Sequence, residues 1–122
     1  MNITVKTKNH QLTEAMRELI EGKFSGLTKF EKGSESPAAL ACEIEQSIAA
    51  VRAGAKYRAE GNLSLNGRLF RAEAMSETLE GAIDVVRDDL MRELRRTRGK
   101  ERGLLKRGGA ALKRWLRFGR NQ

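Results

Sequence analysis

The chain has 122 residues, 39% of them apolar and 33% charged, which is typical of one globular domain. No apolar run approaches the roughly 20 residues of a membrane-spanning helix, and the N-terminus MNITVKTKNH has no apolar segment of a secretory signal. The single cysteine, Cys42, excludes an internal disulfide and fits a reducing compartment. We therefore predict a cytoplasmic protein, with Cys42 as a small buried apolar residue.

The net charge of +8 lies entirely in the last part of the chain. Residues 1–97 contain 15 Lys and Arg and 15 Asp and Glu, whereas residues 98–122 contain nine basic residues and one acid, Glu101. A neutral globule with a basic arm is typical of a protein that binds a polyanion. We accordingly divide the chain into a domain, residues 1–97, and a basic C-terminal tail, residues 98–122.

The first half of the chain predicts a strand, a helix and a second strand. Apolar and polar residues alternate over Asn2–Thr7, which predicts the first strand, and Thr13 then offers an N-cap. Apolar residues at helical spacing follow, so the sequence predicts one amphipathic helix over residues 13–30. After a glycine and the single proline, alternation over residues 38–48 predicts the second strand.

The second half predicts a hairpin followed by a long helix. Residues 57–65 alternate, and Asn66-Gly67 marks a two-residue turn, because both central positions of a type I′ turn need a positive φ. Residues 68–75 form the returning strand, in which two adjacent apolar residues leave the choice of core face open. Ser76 is a suitable N-cap for a helix over residues 77–97 with one apolar stripe.

The predicted element order is therefore β-α-β-β-β-α, an α+β fold. Because each helix has a single apolar stripe, both helices are expected to pack on the same face of a four-stranded sheet. The order within residues 13–97 is like that of a double-stranded-RNA-binding domain, with an extra first strand. The other face of the sheet is predicted to be a mixed, solvated surface without a site. Its residues are Lys6, Glu43, Glu45, Arg58 and Glu60.

Residue types for catalysis or metal binding are sparse. One histidine and one cysteine cannot supply a zinc site, and we interpret His10 as a surface loop residue. Glu43 and Glu45 share a strand face, as paired catalytic carboxylates do, but alternating solvent-facing acids are far commoner. The sequence has no P-loop, GxGxxG or GxSxG motif. We predict no enzyme activity, no metal, no cofactor and no small-molecule substrate.

Signatures of base-specific RNA recognition are also missing from the sequence. An RNA-recognition motif needs aromatic residues on its middle strands, and Tyr57 is the only one there. A KH domain needs a GXXG loop, whereas Gly22 and Gly26 lie within a predicted helix. Any nucleic-acid binding is expected to use shape and phosphates. The four arginines that end the second helix exceed what its dipole requires, which favours a binding role.

Several segments resemble a known family. NITVKTKNHQLTEAMRELIEGKFSGLTKF is similar to the N-terminal domain of the ribosome hibernation-promoting factors, also called the ribosome-associated inhibitor family. Lys8-Asn9 matches the family's G-R-N-like turn, and Leu69–Glu73 resembles its L-R-A-E segment. Ala82-Ile83-Asp84 begins the match to its last helix, and the resemblance covers residues 1–98. Matching helix positions are Thr13, Ala15, Arg17, Lys23, Leu27, Lys29, Phe30, Leu90, Arg92, Leu94, Arg95 and Arg96.

The resemblance implies the same fold and a function in ribosome hibernation under stress or in stationary phase. The domain would lodge in the small ribosomal subunit, in the channel used by mRNA and by the A- and P-site tRNAs, and would block translation sterically. Its partners would be that subunit and its 16S rRNA. Lys23 falls on the apolar stripe of its helix, so its charge must reach the edge. The implied rRNA contacts are Lys8, Lys23, Lys29, Lys56, Arg71, Arg92, Arg95, Arg96 and Arg98.

The tail is expected to strengthen this docking, with aromatic side chains available to stack on bases. Asp89 and Glu93 depart from the family's pattern and place acid near the implied rRNA surface. The chain ends without the family's C-terminal dimerisation domain, so we expect the short form, monomeric off the ribosome, without direct pairing of ribosomes through that domain. Expected tail contacts are Lys100, Arg102, Lys106, Arg107, Lys113, Arg114, Trp115 and Arg117.

Two alternatives stay open from the sequence. Residues 103–118 have the pattern of a basic interfacial helix, which would bind a membrane surface or a partner helix, although Gly108-Gly109 interrupts it. The second alternative is a general RNA-binding protein or chaperone. The leading hypothesis needs neither, and it expects no membrane contact.

Overall fold

The computed structural model describes residues 1–34, 36–46 and 56–107, with side chains in the last range up to residue 100. The order of elements confirms the predicted β-α-β-β-β-α fold, while the double-stranded-RNA-binding-domain label stays a prediction. The elements are β1 Asn2–Lys8, α1 Glu14–Phe24, a 3₁₀ helix Ser25–Glu31, β2 Ala39–Gln46, β3 Tyr57–Leu65, β4 Arg68–Ser76 and α2 Leu79–Arg107.

The four strands form one mixed sheet in the order β1-β2-β3-β4. β1 and β2 are parallel, because α1 crosses between them, and the other neighbours are antiparallel. The β3–β4 turn has φ values of 53° at Asn66 and 75° at Gly67, as the predicted two-residue hairpin requires. β1 and β4 are therefore the two edges of the described sheet.

Both α-helices cover the same face of the sheet, as predicted, and one core lies between them and the strands. α2 packs tightly on the sheet at Gly61 of β3, where a Cβ atom would be 2.9 Å from Val86 Cγ1 and 3.2 Å from Leu90 Cδ1. The sequence left open which of two adjacent apolar residues of β4 faces the core. Phe70 does, with 9% of its surface exposed, while Leu69 is 67% exposed. The largest fully buried side chains are Phe24, Ile20, Leu27, Leu40, Ile44, Leu63, Ile83, Leu90 and Val86.

The predicted single helix over residues 13–30 is wrong in its second half. α1 ends at Phe24, and the chain continues as a 3₁₀ helix. Phe24, Leu27 and Phe30 are spaced by three, so the three-residue turn of a 3₁₀ helix buries all of them. The Ser25 hydroxyl donates to the Gly22 carbonyl at 2.8 Å, a local bond that competes with regular helix.

The last helix differs from its prediction at both ends. Thr78, not Ser76, is the N-cap, because the Gly81 N–H donates to Thr78 Oγ1 at 3.0 Å and the Ala82 N–H to the Thr78 carbonyl at 3.1 Å. At its other end α2 continues to Arg107, past the division predicted after Thr97. No described helix is both long enough and apolar enough to cross a membrane.

Cys42 and His10 are two single residues whose positions the sequence predicted. Cys42 is 3% exposed, as predicted, and burial raises the pKa of its thiol to about 12. Tyr57 is half-buried at the start of β3. His10 packs edge-on against the Tyr57 ring with the centroids 5.8 Å apart, so this loop residue is not fully exposed.

Candidate nucleic-acid interface

The solvent side of α2 presents exposed arginines along its second half. Leu90 and Leu94 turn inward, so Arg92, Arg95 and Arg96 turn outward by the period of the helix. Arg92 and Arg95 also line a shallow groove together with Asp88 and Met91. The structure thus brings three of the predicted contacts onto one exposed helix surface, which we call the arginine surface (Arg92, Arg95 and Arg96).

The two acids that depart from the family pattern belong to this surface. Asp89 Oδ1 lies 3.2 Å from Arg92 Nη1, and Glu93 pairs with Arg96 one turn away. The arginine side chains remain 73% and 64% exposed. Exposed ion pairs of this kind contribute little to stability. Asp89 and Glu93 therefore hold the guanidinium groups along the helix. Breaking these two ion pairs, so that the arginines can bind another anion, costs little free energy.

Arg98 and Lys29 meet at the Phe30 ring. The Arg98 guanidinium carbon lies 4.3 Å from the ring centroid and Lys29 Nζ lies 5.4 Å from it. Arg98 Nη2 also donates to the Lys29 carbonyl at 3.3 Å. Arg98 therefore joins α2 to the 3₁₀ helix, a structural contact that the sequence did not indicate.

Lys23 is engaged inside the molecule. Its Nζ lies 2.8 Å from Glu80 Oε1 and 2.9 Å from Asp84 Oδ1, and the hydrogen bond to Glu80 is the main cause of its raised pKa, followed by that to Asp84. Arg87 Nη1 shares Asp84 at 3.3 Å. The predicted reach of Lys23 to the edge of its helix thus ends on α2. A phosphate would have to compete with two carboxylates for this ammonium group.

Lys8 and Lys56 lie at the opposite end of the sheet from the arginine surface. Lys8 ends β1 opposite Glu45 of β2, and Lys56 immediately precedes Tyr57, which pairs with the end of β2. Both lysines are exposed. β4 also ends here and α2 begins, so α2 carries its arginines away from this end. The predicted contacts therefore do not form one patch.

Arg71 lies on the sheet face opposite the helices, in an ion-pair network around Arg58. Arg58 Nε lies 3.0 Å from Glu73 Oε1, and its other nitrogens contact Glu60 and two further glutamates. Arg71 Nη2 lies 3.3 Å from Glu60 Oε2. Hydrogen bonds from Asn62 first, and from Arg58, lower the pKa of Glu60 against its partial burial. The two further glutamates are Glu43 and Glu45.

This network is the feature of the mixed-charge face that single-strand alternation missed. Alternation shows that the charges share a face, but only the register places Arg58 between Glu45 and Met75 on its neighbouring strands. Arg58 then reaches acids on all three of β2, β3 and β4. Among the described residues, no group of three metal-ligating side chains is placed to hold an ion.

The expected tail contacts fall largely outside the described residues. Lys100 is exposed on α2. The side chains of Arg102, Lys106 and Arg107, and all of Lys113, Arg114, Trp115 and Arg117, lie outside the described part, as does most of the alternative interfacial helix over residues 103–118.

The fold matches two solved structures, a domain of Protein Y and a ribosomal subunit interface protein. The N-terminal domain of Protein Y from Thermus thermophilus is 26% identical, with a TM-score of 0.65 over 80% of this chain and 99% of that domain. A ribosomal subunit interface protein from Coxiella burnetii is 18% identical, with a TM-score of 0.63 over 81% of this chain and 99% of that one, which shows the fold alone. This chain therefore has the same class of α+β fold as these two proteins.

The sequence comparisons define the family. The model of the sigma 54 modulation protein / S30EA ribosomal protein family matches residues 3–102, and the chain belongs to this family. It is also 30% identical over 104 residues to a ribosome hibernation promotion factor from Picosynechococcus sp.. That match covers 84% of this chain but 52% of the relative, so the chain spans about half of its length. The resemblance seen in the sequence is confirmed.

Proposed function

We propose that this chain associates with the ribosome and holds it idle, by binding the small subunit in the channel for mRNA and the A- and P-site tRNAs. Family membership and the hibernation-factor relative support this proposal. The observation that carries it is the arginine surface: three exposed guanidinium groups on a helix that continues to Arg107. Such a helix suits a phosphate backbone, which binds mainly through charge.

The proposed mechanism is occupancy without catalysis. The arginine surface exchanges its exposed partners, Asp89 and Glu93, for rRNA phosphates, and arginine suits this because its planar fork binds phosphate in a bidentate way. Lys8 and Lys56 are proposed to contact a second rRNA segment, because they lie at the other end of the sheet. The neutral domain sets the position, and the basic tail adds sequence-independent attraction and releases counterions.

The test is co-sedimentation with ribosomes through sucrose gradients at several salt concentrations. Arg95→Gln/Arg96→Gln should reduce the slope of log affinity against log salt by about 1.4, since each phosphate contact to single-strand-like RNA contributes about 0.7. The control Lys6→Gln/Lys32→Gln removes the same charge from exposed lysines elsewhere, and its slope should stay unchanged. A wild-type protein that stays at the top of the gradient in low salt would contradict the proposal.

The contribution of the tail is separable from that of the domain. A truncation after Lys100 removes seven of the tail's nine basic residues, yet keeps Arg98 on Phe30. A smaller salt slope would assign phosphate contacts to the tail, and an unchanged slope would exclude them. Competition by unstructured RNA would favour the general RNA-binding alternative, and co-sedimentation with liposomes would favour the membrane alternative.

A further inference from the structure

The outer side of β4 is an edge that nothing in the described part of the chain covers. β4 runs for nine residues, Arg68–Ser76, and its register with β3 is continuous, without a bulge. Protein edges are usually blocked by charged side chains, above all lysine, or by proline, bulges or short length. β4 contains no lysine and no proline, and its two outward charges, Arg71 and Glu73, are of opposite sign. The other described edge, β1, carries two outward lysines, Lys6 and Lys8, and is blocked in the ordinary way.

The hairpin determines which backbone groups of β4 face outward. Leu65 and Arg68 flank a two-residue turn and form its hydrogen-bonded pair, and hydrogen bonding alternates from there. The residues that direct N–H and C=O away from β3 are therefore Leu69, Arg71, Glu73 and Met75. The side chains of the same four residues lie on the face opposite the helices, and all are exposed.

These four residues are complementary to themselves when the strand is reversed about Ala72. In an antiparallel pair of two copies centred there, Leu69 lies opposite Met75 and Arg71 lies opposite Glu73. Leu69 and Met75 are 67% and 54% exposed, large apolar side chains that such a pairing would cover. Opposite charges and apolar pairs directly across strands both stabilise a sheet.

The side chains of β4 that face the helices are also complementary to themselves when the strand is reversed about Ala72. Phe70, Ala72 and Ala74 remain 9%, 8% and 9% exposed, whereas Leu40 and Leu63 on the inner strands are 1% and 0% exposed. In the same register Phe70 lies opposite Ala74, a large residue against a small one, and Ala72 lies opposite itself. β1 lacks this complementarity, since reversal about Val5 sets Lys6 and Lys8 against Thr4 and Asn2.

We propose that two copies of this chain associate through antiparallel β4 strands centred on Ala72, joining two four-stranded sheets into one. The two-fold arrangement is isologous, so each contact occurs twice, and each outward pair exchanges both of its N–H···O bonds. A single strand edge buries less than the roughly 1,200 Å² of a stable interface, so the association is weak and depends on concentration. It departs from the monomer that the sequence led us to expect off the ribosome, and it does not rest on the proposed ribosome binding.

The first test is sedimentation velocity of the full chain over a wide concentration range. Leu69→Lys should abolish the dimer, because it sets a lysine against Met75 of the second copy. Leu69→Lys/Met75→Glu should restore it through a lysine–glutamate pair between copies, since the two positions are too far apart to pair within one strand. The control Thr4→Lys adds the same charge to exposed β1 and should dimerise like the wild type. A monomer at every concentration, or a dimer insensitive to Leu69→Lys, would overturn the proposal.

The second test reads the register directly. Ala72→Cys should form a disulfide-linked dimer under oxidising conditions, because a non-hydrogen-bonded antiparallel pair has Cα atoms about 4.5 Å apart, within the range that a disulfide spans. Ala74→Cys is the matched control, since its two copies would lie roughly 14 Å apart at about 3.4 Å per residue. Equal cross-linking of both variants, or none of Ala72→Cys, would overturn the register. Both tests use the purified protein without ribosomes, so their failure and that of ribosome binding are distinguishable.

Discussion

The guanidinium carbon of Arg98 lies 4.3 Å from the centroid of the Phe30 ring, and Arg98 Nη2 donates to the Lys29 carbonyl. Leu94 is the last buried residue of α2 in the described part of the chain, one turn before this contact. Arg98 therefore fastens α2 to the 3₁₀ helix at the point where α2 leaves the core. Arg98, which the sequence assigned to the tail and to rRNA contact, thus has a structural partner in the folded domain.

Arg98→Ala should destabilise the domain modestly. A cation over an aromatic ring contributes about 0.5–1 kcal/mol at exposed sites, and the hydrogen bond to the Lys29 carbonyl is lost with it. Urea unfolding followed by circular dichroism would measure the change. Arg95→Ala, on the exposed side of the same helix, is the control. Its free energy of unfolding should lie within about 0.5 kcal/mol of that of the wild type. Equal effects of the two substitutions would refute a structural role for Arg98.

Lys23→Met should lower the melting temperature at neutral pH, because it leaves Glu80 and Asp84 without their shared cation. The pKa of Lys23 is raised in the folded state, chiefly by the Glu80 hydrogen bond. The contribution of Lys23 to the free energy of unfolding is therefore fully present below its unfolded pKa of about 10.4, and it is lost as pH rises through the folded pKa. Melting curves should show a deficit that is constant near neutrality and shrinks above about pH 10.4. A deficit independent of pH would point to packing alone.

Arg58→Met should destabilise the sheet at neutral pH, because the acids around it would then face each other uncompensated. In the wild type, Arg58 lowers the pKa of Glu73, and Asn62 and Arg58 lower that of Glu60. These contributions exist above the unfolded pKa of about 4.3 and are lost as pH falls through the folded values. The difference in melting temperature between variant and wild type should thus narrow toward about pH 3. A constant difference would contradict the network.

Gly61→Ala should cost about 1–3 kcal/mol, the usual cost of overpacking a core. Its Cβ atom would lie 2.9 Å from Val86 Cγ1 on α2. Gly22→Ala is the control: apart from its chain neighbours and the backbone of its own helix, nothing lies within 4 Å of its Cβ position on α1. A helical glycine is about 0.5–1 kcal/mol less stable than alanine, so this substitution should stabilise the domain. Chemical unfolding of both variants would measure these changes. A neutral Gly61→Ala would show that α2 moves freely on the sheet.

The candidate site was partly predictable from the sequence. The helical period alone puts Arg92, Arg95 and Arg96 outside the stripe of Leu90 and Leu94, and the structure has them there. The period does not show what else a charge contacts. Lys23 on α1 and its carboxylates on α2 are more than fifty residues apart in the chain, so their bridge depends on how the helices pack.

The sequence by itself determined the order of elements, the Asn66-Gly67 turn and the burial of both helices on one face, because these follow from local periodicity and from the φ values that a turn needs. Tertiary structure decided the rest. The segment after Phe24 forms a 3₁₀ helix because this conformation buries Phe24, Leu27 and Phe30 together in the core. Sheet register decided that Arg58 lies among its glutamates, and the position of β4 at the edge left its self-complementary strand open. Contacts between distant segments are set by packing, which local sequence patterns do not encode.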